Sequence, residues 1–348
     1  MKNKDYIKIN RAIDLKYLKD LALSQEQLKK EGVYPDKLTY PLTLQFELTG
    51  QCNLACKHCY NRSGDNDRKT LMTPNKWCDL AHQIVNDGGI FQCIISGGEP
   101  LLLGDRLFDI MDILHNDGTS FVVITNGYLL TPEKVEKFKK YRFFGFQISI
   151  DGHCSEIHDS FRGVSGSWER AVRGAIEITN NGIPLTIAHS VIPSNLKYLD
   201  KMVSLAYELG ASSIILGETL PSGRAIKNNN LLLTKEERNY LYEEINSLQD
   251  LYQDKIIIKR SANLKIQMER YRLETNAGGI IRPNGDFRLD CMTPFVIGNV
   301  LEKSIKEIWL SKGINAWKSK KVSEFIESIN EDEQMGYIKN HLDKDIIL

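Results

Sequence analysis

Three closely spaced cysteines, Cys52, Cys56 and Cys59, are the residues of this chain best suited to chemistry. Their spacing brings three thiolates onto one short loop, and soft sulfur ligands select zinc or an iron–sulfur cluster. No fourth cysteine lies nearby, and His58, between two of the thiolates, could not easily turn back to the same ion. A site with three thiolates leaves one metal position open, which is typical of a catalytic metal.

The composition argues against several other classes of protein. The chain has 348 residues, and its 45 Lys and Arg balance its 45 Asp and Glu, so the net charge indicates neither nucleic acid nor an anionic membrane as a partner. The first residues lack the apolar core of a signal peptide, and no apolar run approaches the roughly 18 residues of a membrane span. Seven cysteines, an odd number, do not suggest a disulfide framework. We expect a soluble, cytoplasmic protein.

Alternating strand and helix patterns surround the cysteine loop. After a helical preface at about 10–31, Leu42–Leu48 reads as a strand that ends just before the loop. The alternation indicates a parallel sheet with right-handed crossovers. Further strands are predicted at Phe91–Ser96, Ser120–Thr125, Phe144–Ile150, Leu185–Val191 and Ser212–Leu216, and helices at 73–87, Asp105–Asn116, Pro132–Lys139, Ser167–Asn180 and Leu196–Leu209.

Two of the predicted strands carry one polar face. A parallel sheet with helices on both faces should be apolar on both, so these strands favour a sheet curled around a polar interior, a partial barrel. Whether the interior side chains touch a substrate or form a structural network stays open. The candidates for this interior are Gln45, Glu47, Gln147 and Glu218.

The pattern changes after about residue 220. A charged helix at Thr234–Tyr252 is followed by a hairpin at Gly279–Asp290, a short helix at Ser304–Leu310 and a polar tail from about Lys318. We therefore predict three parts, which are a helical preface at 1–41, the barrel at 42–225 and a small α+β appendix at 226–348.

Glycines and polar residues follow the ends of the predicted strands, where parallel sheets bind ligands. Glycines let the backbone approach a ligand, Glu99 can accept hydrogen bonds from an ammonium, and Arg162 can hold a carboxylate. An amine and a carboxylate together describe an amino acid or an amino-acid-like cofactor. The candidate residues are Gly97, Gly98, Glu99, Asn126, Ser149 and Arg162.

The chain resembles the radical S-adenosylmethionine (radical SAM) enzymes. They carry the Cys-x3-Cys-x2-Cys loop and a Gly-Gly-Glu-Pro strand end, here Gly97–Pro100. ISIDG at 148–152, HDSFRG at 158–163 and PSGRA at 221–225 resemble the subgroup that modifies peptides and carries a C-terminal SPASM or twitch domain. The likeness runs from about residue 42 to 311.

The resemblance implies a partial (β/α)6 barrel with one [4Fe–4S] cluster on Cys52, Cys56 and Cys59. S-adenosylmethionine (SAM) would chelate the fourth iron, and one electron from an external reductant such as flavodoxin or ferredoxin would release a 5′-deoxyadenosyl radical. The resemblance also implies the residues that bind SAM: Gly97, Gly98 and Glu99 at the methionine amine, Arg162 and Ser149 at its carboxylate or the ribose, Tyr60 near the adenine, and Asn126 nearby.

The chain departs from the family near its C-terminus, where auxiliary clusters need several cysteines. Thr275 stands where the first of these cysteines is expected, and only Cys291 is present. We predict a degenerate appendix without an auxiliary cluster, which favours redox-neutral outcomes. Cys291 is either a vestigial cluster ligand or a hydrogen-atom donor to a substrate radical.

The leading hypothesis is a radical SAM enzyme that epimerises or cross-links a ribosomally made peptide. One alternative is radical chemistry on a small molecule such as a sugar or nucleoside, and another is a non-catalytic iron–sulfur or zinc protein. Simpler roles also stay open for three residues: Glu99 as a helix cap, Arg162 as a surface ion-pair partner, and Ser149 as a small polar residue inside the barrel.

Overall fold

The computed structural model describes residues 30, 38–65, 70–261, 264–273, 278–291, 293–329 and 345–348. The predicted preface, apart from Lys30, and Thr275 lie outside the described residues.

One sheet runs through the described residues. Its strands follow the order β11-β10-β9-β8-β1-β2-β3-β4-β5-β6-β7, and β1 to β7 are all parallel to their neighbours. All six predicted strands are present, with ends within two residues of the prediction. The strands are β1 Thr43–Glu47, β2 Gln92–Ser96, β3 Ser120–Thr125, β4 Phe143–Ser149, β5 Leu185–Val191, β6 Ser213–Glu218, β7 Ile257–Arg260, β8 Gly278–Ile281, β9 Asp286–Arg288, β10 Phe295–Asn299 and β11 Ile346–Ile347.

Helices follow the strands of the parallel part, which is an α/β fold as predicted. They are α1 Pro74–Asn86, α2 Arg106–Asn116, α3 Pro132–Phe138, α4 Ser155–Arg162, α5 Ser167–Asn180, α6 Leu199–Glu208, α7 Lys235–Leu251, α8 Leu264–Leu273, α9 Ile305–Ser311 and α10 Lys320–Ser328. No helix in the described part of the chain is long and apolar enough to cross a membrane.

Local sequence signals explain where several helices begin. The Thr73 hydroxyl accepts a hydrogen bond from the backbone N–H of Lys76, and Pro74 occupies the first turn of α1. In α7, Thr234 and Glu237 form a capping box, because each side chain bonds the backbone N–H of the other.

Several elements were missed or misread from the sequence. The helix α4, which ends at Arg162, the helix α8 and the strands β7, β10 and β11 were not predicted. The polar tail predicted from Lys318 is wrong, because α10 buries Val322, Phe325 and Ile326 at helical spacing.

The two faces of the sheet differ, as the polar alternation predicted. On the outer face, Leu44 and Phe46 are fully buried, and the Phe46 ring lies 4.8 Å from the Trp77 ring of α1. On the inner face, Gln45, Gln147 and Ser149 stay partly exposed. A sheet covered by helices on one face and polar on the other is typical of a partial barrel.

The C-terminal hairpin is part of the same sheet. Strand β8 pairs in parallel with β1, and β9 pairs with β8, so that Gln45, Ile280 and Arg288 form one row across three strands. Strand β7 extends the opposite edge. The sheet therefore crosses the boundary predicted at 225/226, and the three-part division stays a prediction.

Neighbouring isoleucines of β6 test the two faces. Ile214 is fully buried on the outer face, and Ile215 is partly exposed on the inner face. We expect Ile214→Ala to lower the free energy of unfolding by about 2–5 kcal/mol, and Ile215→Ala to lower it by about 1 kcal/mol or less. Urea unfolding measures the free energy of unfolding of both variants. Because both replace Ile by Ala in the same strand, the change in strand propensity cancels when the two losses are compared. Equal losses would contradict a polar, open inner face.

Candidate active site

The cysteine loop begins just beyond the carboxyl end of β1. Backbone N–H groups of Ala55 and Lys57 donate to the carbonyl oxygens of Arg162 and Phe161, at 3.1 Å each. On the other side, Arg224 Nε donates to the Cys56 carbonyl oxygen at 2.8 Å. The end of α4 and the Arg224 side chain thus hold the loop against the sheet.

The three thiols are free, and each accepts a hydrogen bond. The backbone N–H groups of Leu54 and Ser63 lie 3.4 Å from the Sγ atoms of Cys52 and Cys59, and Arg162 Nη1 lies 3.6 Å from Cys56 Sγ. Hydrogen bonds to the sulfurs are a common feature of iron–sulfur sites. Burial raises the pKa of the Cys52 thiol to about 11 and also raises that of Cys56, so metal binding must displace their protons.

The arrangement of the thiols fits a cluster better than a single ion. Zinc needs its ligands to converge on one point. Among the described residues, no group of three or more His, Cys, Asp or Glu side chains is arranged to hold a single metal ion. In a four-iron cluster each cysteine binds a different iron atom, so the three thiols need not meet at one point. The donor set of three thiols on one loop therefore fits a [4Fe–4S] cluster.

The Gly97–Pro100 turn after β2 packs directly on the cysteine loop. Gly98 N donates to the Thr49 carbonyl oxygen at 2.6 Å, and Glu99 N donates to that of Gln51 at 2.9 Å. A Cβ on Gly98 would lie 1.9 Å from the Gln51 carbonyl oxygen. The sequence reading assigned both glycines to a close approach to a ligand, and the structure shows a close approach to the cysteine loop.

The Glu99 carboxylate is fully buried and accepts three hydrogen bonds. Oε1 accepts from Leu101 N at 3.1 Å and from the Thr125 hydroxyl at 2.6 Å, and Oε2 accepts from Asn126 N at 2.9 Å. Glu99 therefore caps the short helical turn at Pro100–Leu103, which was the simpler reading of this residue, and it also ties the end of β3 to the turn.

The Asn126 side chain joins the end of β3 to the cysteine loop. Its Nδ2 donates to Asn53 Oδ1 at 2.9 Å and lies 3.8 Å from Cys52 Sγ. Three strand ends thus meet at the cysteine loop, as the sequence predicted.

Arg162 is buried beside the loop, so its reading as a surface ion-pair partner is wrong. Its Nη2 lies 2.6 Å from Asp151 Oδ2, while Nη1 faces Cys56. Burial opposes ionisation of Asp151, but the Arg162 guanidinium and the neighbouring histidine side chains together outweigh it and hold the pKa of Asp151 at about 2. In the sequence, Asp151 stood out only as part of the ISIDG segment at 148–152. Its burial depends on Arg162, which comes from another element.

His58 turns away from the thiols, as expected. Its ring stacks on Phe161 at 4.2 Å, and its Nε2 lies 4.0 Å from Asp151 Oδ2. Burial lowers the pKa of His58 to about 3, so the ring is neutral near pH 7.

The predicted interior residues divide between the two faces. Gln45, Gln147 and Ser149 lie on the inner face, and Gln45 Nε2 donates to Ser96 Oγ at 2.8 Å. Glu218 is a correction: it shares the outer face with Leu216 and accepts hydrogen bonds from Arg238 Nε and the Tyr242 hydroxyl at 2.7 and 2.6 Å. It is therefore a structural partner of α7.

Tyr60 connects the cysteine loop to the end of β1. Its hydroxyl donates to Glu47 Oε1 at 3.1 Å, and Arg282 Nε lies 3.9 Å from Glu47 Oε2. Although the residue as a whole is 36% exposed, desolvation of its hydroxyl and the Glu47 carboxylate raise the pKa of Tyr60. The Tyr60–Glu47 hydrogen bond thus ties the cysteine loop to the end of β1.

Comparisons with known proteins agree with this geometry. Residues 46–206 match the model of the radical SAM superfamily. The chain is 28% identical over 288 residues to the AdoMet-dependent heme synthase of Methanosarcina barkeri. The alignment covers 77% of this chain and 82% of that protein. It is 29% identical over 282 residues to the subtilosin biosynthesis protein AlbA of Bacillus subtilis, covering 78% of this chain but 60% of AlbA.

The fold is shared with a solved structure as well. Streptococcus suis SuiB bound to S-adenosylmethionine superposes with a TM-score of 0.65 at 16% identity, covering 90% of this chain and 74% of SuiB. Another structure of SuiB contains its precursor peptide SuiA. Residues 46–206, which match the superfamily model, contain the cysteine loop, the Gly97–Pro100 turn and Arg162. This chain is an enzyme whose residues 46–206 match the radical SAM superfamily, and its cofactors are those of that superfamily, a [4Fe–4S] cluster and S-adenosylmethionine.

Proposed function

We propose that this enzyme abstracts a hydrogen atom from a ribosomally synthesised peptide. The observation that carries the proposal is the joint similarity to AlbA, whose name refers to bacteriocin biosynthesis, and to SuiB, which has been solved with a precursor peptide. A polar, partly exposed inner face beside the cysteine loop gives such a substrate a place to bind.

Cys52, Cys56 and Cys59 would hold three irons of the cluster, and the neighbouring strand ends would hold SAM. A carboxylate has about four acceptor sites, so Glu99, with three donors, keeps one for the methionine ammonium. Arg162 Nε is buried without a hydrogen-bond partner among the described residues, so it can donate to the methionine carboxylate or the ribose. Ser149, Asn126 and Tyr60 complete the proposed SAM site.

When bound, the cluster and SAM supply a 5′-deoxyadenosyl radical, after one electron from an external reductant of the flavodoxin or ferredoxin class. The hard chemical step belongs to the cofactor, and the protein positions and shields the reacting groups. Arg162 and the Gly97–Pro100 turn do this by fixing the cofactor against the end of the sheet.

We favour epimerisation as the reaction because Cys291 offers a protonated thiol three residues beyond Arg288, which lies on the inner face. Burial and the nearby carboxylates of Asp290 and Glu47 raise the pKa of the Cys291 thiol, so it keeps its hydrogen near pH 7. This thiol would give a hydrogen atom to the substrate carbon radical, which forms a C–H bond and leaves a thiyl radical. An electron from the reductant and a proton from water would then restore the thiol.

We also propose that residues 226–348 form a degenerate SPASM or twitch-like domain. Its supporting features are the hairpin of β8 and β9, the strand β10 and the helix α9. Cys291 is the only cysteine in the sequence after Cys154, and one thiolate does not hold a four-iron cluster.

A small-molecule substrate is the second candidate. The similarity to the heme synthase of Methanosarcina barkeri, which extends over most of both chains, favours it. A cross-linked peptide is a third outcome, which loses two hydrogens.

The deciding experiment is turnover of a candidate precursor peptide in deuterated buffer. We expect the product to gain one deuterium at one residue, because the thiol exchanges its hydrogen with solvent. Mass spectrometry after acid hydrolysis measures the label and the configuration of the residue. A loss of two hydrogens would indicate a cross-link instead. Release of 5′-deoxyadenosine that no peptide stimulates would favour a small molecule.

Replacement of the thiol tests the proposed donor. We expect Cys291→Ala to keep peptide-dependent 5′-deoxyadenosine release but to lose at least about nine-tenths of the deuterated product. Cys78→Ala, a cysteine of α1, is the matched control and should behave like the wild type. Unchanged deuterium gain in Cys291→Ala would contradict the role of the thiol.

Iron content tests the prediction of one cluster. A triple Cys→Ala change at Cys52, Cys56 and Cys59 should remove all iron from anaerobically reconstituted protein, since no other described set of thiols replaces them. Cys291→Ala should retain the wild-type content of about four irons per chain. Iron and sulfide assays with the absorption spectrum measure both. Residual cluster in the triple variant would reveal a second site.

A further inference from the structure

We propose that Glu47 and Arg288 clamp one main-chain peptide unit of the substrate, with Glu47 accepting its N–H and Arg288 donating to its carbonyl oxygen. The inference rests on the proposed function, because it assumes that the substrate is a peptide. The clamp adds to that function the residues that would recognise the substrate backbone, and these residues define where the substrate chain would lie.

Both side chains are buried and each keeps an unused atom. Glu47 is 3% exposed and Arg288 is 4% exposed. Glu47 Oε2 and Arg288 Nη2 have no hydrogen-bond partner among the described residues. A buried polar atom without a partner costs about 1–3 kcal/mol, and more when it is charged. Such a cost is offset when a ligand supplies the missing partner.

The remaining atoms of the two side chains are held in place. Glu47 Oε1 accepts from the Tyr60 hydroxyl at 3.1 Å, and Arg288 Nε donates to the Thr293 carbonyl oxygen at 2.7 Å. Arg282 Nε, 3.9 Å from Glu47 Oε2, balances the charge of Glu47 but lies beyond hydrogen-bond distance. The unused atoms thus belong to side chains that are already oriented.

The strand register places both side chains on the inner face. Gln45 pairs with Ile280, which pairs with Arg288, so these three side chains point to one side of the sheet. Glu47 follows Gln45 by two residues on β1 and therefore points to the same side. The neighbouring Phe287 points the other way, where its ring stacks at 6.3 Å on that of Trp309.

The two groups lie on strands β1 and β9, which are separated by β8. No ion pair joins Glu47 to Arg288 in the described part of the chain; burial lowers the pKa of Arg288, and the Glu47 carboxylate acts against that shift. A trans peptide unit presents its N–H and its carbonyl oxygen on opposite edges. One donor and one acceptor, held apart on one face, are the complement of that unit.

The position also suits the chemistry. Tyr60, which orients Glu47, directly follows Cys59 in the cysteine loop, and Cys291 follows Arg288 by three residues. A peptide unit held between Glu47 and Arg288 would place an adjoining Cα between the cofactor side and the thiol side of the site.

A binding assay without turnover tests the clamp. The probe is a pool of fluorescein-labelled hexapeptides of random sequence with acetylated and amidated ends, bound to anaerobically reconstituted holoenzyme. A matched pool carries a methyl group on every peptide nitrogen and so offers no N–H. Fluorescence anisotropy gives both dissociation constants. We expect N-methylation to weaken binding to the wild type by about tenfold or more.

Two variants and one control locate the effect. Glu47→Gln should bind the unmethylated peptides more weakly than the wild type does. Its preference for unmethylated over methylated peptides should also be smaller, because the substitution and the N-methylation each remove one side of the same hydrogen bond. Arg288→Lys, which keeps the charge but loses Nη2, should weaken binding of both pools by a similar factor. Glu218→Gln is the matched control, since it also ends a parallel strand but faces outward, and should bind like the wild type.

Iron content and the midpoint of urea unfolding show whether each variant is folded. If a variant does not fold, the comparison of methylated and unmethylated peptides on the wild-type enzyme still tests the clamp. Equal binding of both pools by the wild type, failure of the wild type to bind either pool, or an undiminished preference in Glu47→Gln would overturn the clamp. The deuterium experiment does not depend on these residues being a clamp. If the deuterium experiment gives a labelled peptide while the binding assay gives one of these contrary results, the clamp is rejected and the proposed function is kept.

Discussion

The contact between the turn after β2 and the cysteine loop is the constraint on which the rest of the site depends. Two backbone hydrogen bonds, from Gly98 and Glu99 to the carbonyl oxygens of Thr49 and Gln51, hold the loop over the sheet. They form only because residue 98 lacks a Cβ. The same turn aims the Glu99 carboxylate at the end of β3, so the first three strand ends become one unit.

A second unit supports the loop from the opposite side, and it is built from buried charge. Asp151 and Arg162 neutralise each other where either alone would be costly. Arg162 in turn faces Cys56, and the end of its helix accepts two hydrogen bonds from the loop backbone. The thiols thus lie between a close-packed backbone contact and a buried ion pair, which fixes their orientation before any metal binds.

The sequence predicted the framework well because its strands alternate clearly between apolar and polar residues. It also predicted which strand ends meet, since parallel strands bring their carboxyl ends together. Helix α4 was missed because the side chains that it buries include the polar His158 and Arg162, which hide its apolar face. Glu218 was misplaced although the period of two from Leu216 puts it on the outer face. The burial of Asp151 and Arg288 could not be predicted, because it depends on partners that only the fold brings near.

The pairing of β8 with β1 has a consequence for the loss of the iron–sulfur cluster. Backbone hydrogen bonds, and no metal ligand among the described residues, join the hairpin to the barrel. Loss of the iron–sulfur cluster would not break these hydrogen bonds, so we expect Arg282, Arg288 and Cys291 to keep their places in the iron-free protein. The iron-free protein would then keep one side of the proposed substrate site, and only the loop would have to take up a new cluster.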